Sequence, residues 1–248
     1  MPKLIIFDLN GTLAESKQPI TDKTAALLAR LFALTHVAIA SSGALSQLLK
    51  QVIAKLPIEA DLSRLYLLPT SGAALYEYQD DAWQKIYEER LSEKDKDVIE
   101  AAMTDAIEET GIIELSAPSR GERIEYRESQ VTLSALGQDA PMKERAAWDK
   151  DYAKQRALLA AITARLPHFS VSAGGAASID VTRHGVDKAY GIRKLCGHLR
   201  IKEKDVLYVG DELRAGGNDE AVYKTEAQTK SVSSPTDTTK YIKGLLNA

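Results

Sequence analysis

Apolar residues in this chain gather into short runs that end on polar or acidic residues, with helix-spaced stretches between them. "KLIIF" at 3–7 runs into Asp8, "HVAIA" at 36–40 into Ser41-Ser42-Gly43, and "LYLLP" occupies 65–69. Unbroken apolar runs of this length predict strands buried on both faces, as in a parallel sheet. Between them, 23–34 and 45–55 carry helical spacing, the first with Thr21 or Asp22 available as its cap. The alternation predicts an α/β fold: a doubly wound, Rossmann-like core around a parallel sheet.

The pattern then changes. Segments 73–78 and 83–87 flank Gln79-Asp80-Asp81 as a hairpin, 93–110 is a charged helix, and 123–126 and 131–136 alternate like antiparallel strands. A long helix is expected over 144–166, then strands at 169–173 and 177–181. After Gly185 the first rhythm returns, with a helix at 188–199, the strand "DVLYV" at 205–209 and a terminal helix at 238–246. The expected domains are therefore a core of 1–82 plus 187–248 and an inserted α+β cap domain of 83–186.

Composition narrows the function classes. With 248 residues and a net charge of −3, the chain has no basic field to draw it to nucleic acid or a membrane surface. No run of 18 apolar residues predicts a membrane span. Met1-Pro2-Lys3 leads straight into a strand, so a signal peptide is not expected and the cytoplasm is the expected compartment. The single cysteine, Cys196, lies on an apolar helical run and reads as a buried thiol. His36, His168, His184 and His198 are scattered without zinc-ligand spacing.

The candidate chemistry sits at strand ends and helix starts: Asp8 after "LIIF", Ser41 after "VAIA", Lys188 opening a helix, and Gly210-Asp211 after "VLYV" with Asp219 nearby. In an open parallel sheet the carboxyl ends of the strands converge on one crevice. A carboxylate there can accept a phosphoryl group as an acyl phosphate. A hard divalent cation such as Mg²⁺ would cancel its repulsion from phosphate, and a lysine and a serine hydroxyl would cradle the transferring oxygens. Each residue alone reads as an ordinary cap or a solvated side chain; their conjunction carries the argument.

"FDLNGTL", Ser41, Lys188 and "GDELRAGGND" resemble the four motifs of the haloacid dehalogenase superfamily, and the insertion is placed like a C2-type cap. "GDELRAGGNDEAVY", "RGERIEYR", "SALG", "KERAAWDKDY", "SIDV", "GVDKAYGI" and "SVSSPTDTTKYIKGLL" resemble segments of eukaryotic-type α-phosphomannomutases. The resemblance implies that Asp8 is the nucleophile. It implies an Mg²⁺ site formed by Asp8, the Asn10 backbone carbonyl and Asp211, supported by Asp219. Ser41 and Lys188 would hold the transferring group. Arg127, Arg145, Ser178 and Asp180 of the cap would bind the far end of a sugar phosphate, and cap closure would exclude water. A homodimer through the cap is also implied.

Two departures qualify that picture. Asn10 stands where the family has an aspartate serving as general acid and base, and an amide cannot carry that proton. Such catalysis is worth roughly 10²–10⁴-fold, so turnover should be impaired. Either an engineered trap or a naturally impaired relative would carry this residue, and the intact remaining motifs favour the first. The second departure centres on the cap: Gln138 replaces a phosphate-binding arginine of the family, and Glu128-Ser129 replaces Asn-Gly, while Lys17 stands where the family has an arginine in the core loop after the first motif. A weakened distal clamp favours transfer to water. The expectation is an Mg²⁺-dependent hexose-phosphate phosphatase, with a phosphomannomutase or phosphoglucomutase, or a non-catalytic sugar-phosphate binder, as alternatives.

Overall fold

The computed structural model describes residues 1–175 and 177–247, and the chain divides into two compact units. The first comprises Met1–Glu88, Asp187–Ala215 and Asp219–Ala248; the second comprises Glu89–Val186 and Gly216–Asn218.

The first unit is built on a seven-stranded sheet. Its strands are β1 (Leu4–Asp8), β2 (His36–Ala40), β3 (Leu65–Leu68), β4 (Ala74–Gln79), β5 (Ala82–Glu88), β10 (Val206–Gly210) and β11 (Gln228–Ser231), in the order β11-β10-β1-β2-β3-β4-β5. The five strands β11, β10, β1, β2 and β3 run parallel, and β4 and β5 add an antiparallel hairpin at one edge. Alternation along the strands explains the core. Ile5, Phe7, Val37, Ile39, Leu207 and Val209 pack on one face with the apolar stripes of α1 (Asp22–Phe32) and α7 (Pro235–Leu246). Leu4, Ile6, Ala38, Ala40, Val206 and Tyr208 face the other way, against Ile192, Leu195 and Cys196 of α6 (Lys188–Leu199). Cys196 is buried, as its apolar setting predicts, and burial pushes its thiol pKa up to about 11.

The caps are local and legible. Thr21 accepts from Thr24 N at the start of α1, Asp187 accepts from Tyr190 N at the start of α6, and Ser234-Pro235 opens α7. The helix expected over 45–55 stops as α2 at Leu45–Gln51 and continues as a 3₁₀ turn. The hairpin turn falls at Asp80 and Asp81, both with positive φ, which matches the twist of the paired strands. Strand β5 pairs with β4 throughout, so 83–88, expected in the insertion, lies in the first unit. Strand β11 was not anticipated: its four residues are polar and exposed, with no apolar alternation to mark them.

The second unit is a four-stranded antiparallel sheet in the order β6-β7-β9-β8. The strands are β6 (Ile124–Tyr126), β7 (Gln130–Ser134), β8 (Phe169–Ala173) and β9 (Ser178–Arg183). Val131, Leu133, Ile179 and Val181 pack with Ile99, Met103 and Ile107 of α3 (Glu93–Thr110) and with Leu158 and Ile162 of α5 (Ala153–Arg165). The alternate positions Gln130, Thr132, Ser134, Ser178, Asp180 and Thr182 are polar yet buried. Helix α3 opens on a Ser92/Asp95 capping box and ends on left-handed Gly111. The single helix expected over 144–166 is two: α4 (Met142–Trp148) and α5 are separated at Asp149–Tyr152. The Asp149 carboxylate accepts from Lys154 N and Gln155 N, capping a new helix start, and Tyr152 adopts a left-handed φ of 58°.

Among the described residues, no helix is long and apolar enough to cross a membrane.

Candidate active site

The parallel sheet brings its strand-end residues together in the first unit. Asp8 is the last residue of β1, and Ser41 follows β2, whose Ala40 is paired beside Asp8. Lys188 is the first residue of α6, and Asp211 follows β10. Asp8, two residues beyond Ile6, points to the face that α6 covers. There the Lys188 ammonium donates to Asp8 Oδ1 at 2.6 Å and to Asp219 Oδ1 at 2.6 Å, linking residues 180 positions apart. All three side chains are at most 3% exposed.

Electrostatics define what this cluster lacks. The Lys188 ammonium bonds Asp8 and Asp219, and Asp211 adds a third carboxyl to the cluster. Burial pushes the Asp8 carboxyl up to about 8; Lys188 pulls it down, while Asp219 and Asp211 push it further up. Burial likewise raises Asp211 to about 6, against a hydrogen bond from Thr12 Oγ1 to its Oδ1 at 2.9 Å. Burial disfavours the charge on Lys188, but Asp219 and Asp8 outweigh it and hold the ammonium protonated. Asp8 Oδ2 is buried without a hydrogen-bond partner. A bare carboxylate oxygen beside an excess of negative charge is the environment a cation or an electrophilic phosphorus would relieve.

The backbone makes room for the Asp211 carboxylate. Gly11 has φ of +93°, and a Cβ there would collide with Asp211 Oδ2. Any side chain at position 11 would therefore displace the carboxylate. No group of three or more His, Cys, Asp or Glu side chains forms a ready metal cage among the described residues. The donor set still suits Mg²⁺, which is held by one or two carboxylates and completes its shell with carbonyl, water and phosphate oxygens.

The remaining expected residues fall as follows. Asn10 Oδ1 accepts the backbone N–H of Lys17 at 2.9 Å, so the amide is oriented by the same loop that Gly11 N → Ala14 O closes. Lys17 itself takes a left-handed φ of 60°. Ser41 is buried and its Oγ accepts from Gly43 N at 3.1 Å. Asp219 is the carboxylate expected to support the metal site from nearby. Its Oδ1 receives Lys188 and Tyr208 Oη, and its Oδ2 receives Glu212 N at 3.2 Å, so its oxygens are already engaged in orienting Lys188.

In the second unit, Arg127 donates through Nε and Nη2 to Glu125 Oε2 and through Nη2 to Gln138 Oε1 at 3.1 Å. Arg145, expected to hold phosphate, gives three of its five N–H donors to the backbone. Its Nε donates to Ala140 O, and its Nη2 donates to Gly137 O and Gln138 O, at 2.9, 3.1 and 2.6 Å. It thereby fastens the loop that carries Gln138. Asp180 accepts from Thr132 Oγ1 at 2.8 Å on the polar face of the sheet, where Ser178 also lies. Two participants escaped the sequence reading. Thr12 stood in the first motif as a small polar residue, and Tyr208 stood in an apolar run, where its hydroxyl was the available signal because a buried phenol needs a partner.

Comparison with known proteins identifies a family and a fold. Residues 26–248 match the family described as eukaryotic phosphomannomutase. A phosphomannomutase of Saccharomyces cerevisiae is 24% identical over 250 residues, covering 98% of this chain and 94% of the relative. One from Dendrobium officinale is 27% identical, with the same coverages. Among solved structures, an IMP-bound mutant of Plasmodium falciparum IMP-nucleotidase superposes with a TM-score of 0.75 at 17% identity, covering all of this chain and 69% of that one. A haloacid dehalogenase-like hydrolase from Bacteroides thetaiotaomicron gives 0.65 at 15% identity, covering 99% of this chain and all of the other. At these identities the structural likenesses establish the fold.

Proposed function

The chain belongs to the eukaryotic phosphomannomutase family, within the haloacid dehalogenase superfamily, and on that premise we propose that it is a hexose-phosphate phosphatase acting through Asp8. The observation that carries the proposal is the buried Asp8 carboxylate, with one oxygen held by Lys188 and the other bare. In the first step an Asp8 oxygen forms a bond to phosphorus while the bond from phosphorus to the sugar oxygen breaks. In the second, water attacks the aspartyl phosphate, the bond from Asp8 to phosphorus breaks, and inorganic phosphate leaves. Lys188 and Ser41 orient the phosphoryl oxygens. Mg²⁺, held by Asp8, Asp211 and the Asn10 carbonyl, would supply the charge neutralisation that lets a carboxylate meet a phosphate.

Asn10 sets the rate. The leaving sugar oxygen needs a proton in the first step, and the attacking water must lose one in the second. The Asn10 amide can donate a hydrogen bond but cannot hand over or take up the proton, which solvent water must supply to the sugar oxygen and take back from the attacking water, so turnover is impaired. Arg127, Ser178 and Asp180 are assigned to recognition of the sugar phosphate, Gln138 and Lys17 to its weakened distal contacts, and Arg145 to holding the Gln138 loop. The weakened contacts favour release of phosphate to water. A mutase is the second reading, favoured by the phosphomannomutase relatives that match along 94% of their length.

The test compares the chain as it stands with Asn10→Asp, in Mg²⁺, over a panel of hexose and disaccharide phosphates. Phosphate release from Asn10→Asp at roughly 10²-fold or more above the parent is the expected result. Isomerised sugar phosphate accumulating in its place selects the mutase, in which case Gln138→Arg should raise the isomerised fraction further. Ligand binding without turnover in either protein overturns both enzymatic readings.

A further inference from the structure

Tyr208 lies on β10, paired beside Ile6 of β1, and it is among the largest fully buried side chains of the protein. Most of its ring packs as any apolar strand residue would against α6. The hydroxyl does something else. It donates to Asp219 Oδ1 at 2.5 Å, within the range of a hydrogen bond to an ionised carboxylate. The same oxygen receives the Lys188 ammonium at 2.6 Å, and Asp219 Oδ2 receives Glu212 N. Gly210 preserves this contact: a Cβ there would collide with Asp219 Oδ2 and lie 2.9 Å from Tyr208 Cε1.

We propose that Tyr208 is a positioning residue for phosphoryl transfer, acting through Asp219 to hold the Lys188 ammonium at its place beside Asp8. The inference rests on the function proposed above, since it gives Lys188 a phosphoryl group to meet. Lys188 has three N–H donors; Asp8 Oδ1 and Asp219 Oδ1 take two, leaving one for a substrate oxygen. For that third donor to point the right way, both acceptors must be fixed. Asp8 is fixed by its strand. Asp219 sits on a loop, and the carboxylate can turn about its own bond unless something pins it. The Glu212 N–H pins one oxygen and the Tyr208 hydroxyl pins the other. Without the hydroxyl, Asp219 Oδ1 answers to Lys188 alone, and the carboxylate keeps one restraint, the Glu212 N–H, where it had two, so the pair is less firmly held beside Asp8.

The experiment removes one oxygen atom. In the Asn10→Asp background, Tyr208→Phe keeps the ring and deletes the hydroxyl. Phosphate release should show kcat lowered about ten-fold with KM changed less than about twofold, because the lost alignment is felt in the transition state. Asp219→Asn should lower kcat by itself, and adding Tyr208→Phe to it should cost less than about twofold more, since the tyrosine acts through that carboxylate. A Tyr208→Phe protein with kcat within twofold of its parent overturns the proposal, as does a full ten-fold effect that persists beside Asp219→Asn.

A readout independent of activity separates the two ideas. Urea unfolding midpoints are measured for Tyr208→Phe, Lys188→Met and the double variant of the chain as it stands. Shifts that depart from additivity, in either direction, show that the hydroxyl and the ammonium share Asp219; additive shifts overturn the positioning role even if the enzyme is active. Should Asn10→Asp release no phosphate from any sugar phosphate, the functional reading fails and the midpoints alone decide whether the Tyr208–Asp219–Lys188 link exists.

Discussion

Replacing Lys188 by Met should unmask the charge imbalance of the strand-end cluster. The methionine keeps the length of the side chain and deletes the ammonium that lies 2.6 Å from both Asp8 Oδ1 and Asp219 Oδ1. Removing one partner of a buried ion pair costs about 3–5 kcal/mol, because the remaining charge is stranded. A stranded carboxyl can escape by binding a proton. From an ordinary value near 3.9 that escape costs about 4 kcal/mol at pH 7 and about 1.5 kcal/mol at pH 5, at 1.36 kcal/mol per pH unit. The penalty therefore lies near 3–4 kcal/mol at pH 7 and below about 2 kcal/mol at pH 5. For a chain of this size that is a fall in Tm of about 10 °C at pH 7 and about 4 °C at pH 5. The sign follows from proton counting: the folded variant binds more protons than its unfolded chain, so its stability drops as pH rises. The parent shares part of this dependence through Asp8, so the diagnostic quantity is the difference between the two proteins. Thermal unfolding by circular dichroism in metal-free buffer at both pH values measures it. A variant that melts within about 2 °C of the parent at pH 7, or a penalty that does not shrink at pH 5, would refute the reasoning.

The other expectations are narrower. Gly11→Ala drives a Cβ into Asp211 Oδ2 at a left-handed φ, and should weaken Mg²⁺ binding at least about ten-fold by calorimetric titration; unchanged affinity would remove Asp211 from the metal site. Added Mg²⁺ should raise Tm more at pH 8 than at pH 5, because Asp8 and Asp211, pushed up to about 8 and about 6, hold protons in acid that the cation must displace. Equal shifts at both pH values would contradict that assignment. Arg145→Ala removes three bonds to backbone carbonyls and should destabilise the second unit by about 3 kcal/mol in urea unfolding; a loss of substrate affinity with unchanged stability would return Arg145 to a direct phosphate contact.

Most of the framework was legible because it obeys simple periods. The apolar runs ending at Asp8, Ser41 and Gly210 became parallel strands, and their ends met as a doubly wound sheet requires. What the periods do not encode was harder to see. Strand β11 carries four exposed polar residues and forms because β10 offers it an edge, a reason that lies outside its own sequence. The break at 149–152 depends on one carboxylate choosing to cap α5, and acidic residues within a helical pattern look the same whether they cap or merely face water. Arg145 shows the same limit in the site: a motif gives a residue type, while the geometry shows three of its five N–H donors bonded to backbone carbonyls. Tyr208 is the complementary case. Its alternation placed it in the core, and packing was a complete explanation until the hydroxyl was followed to Asp219. The chemistry of the first unit thus rests on polar atoms attached to residues that hydrophobic patterning had already accounted for. Their roles emerge only when each buried donor and acceptor is assigned its partner, and Asp8 Oδ2 is one of the atoms left without one.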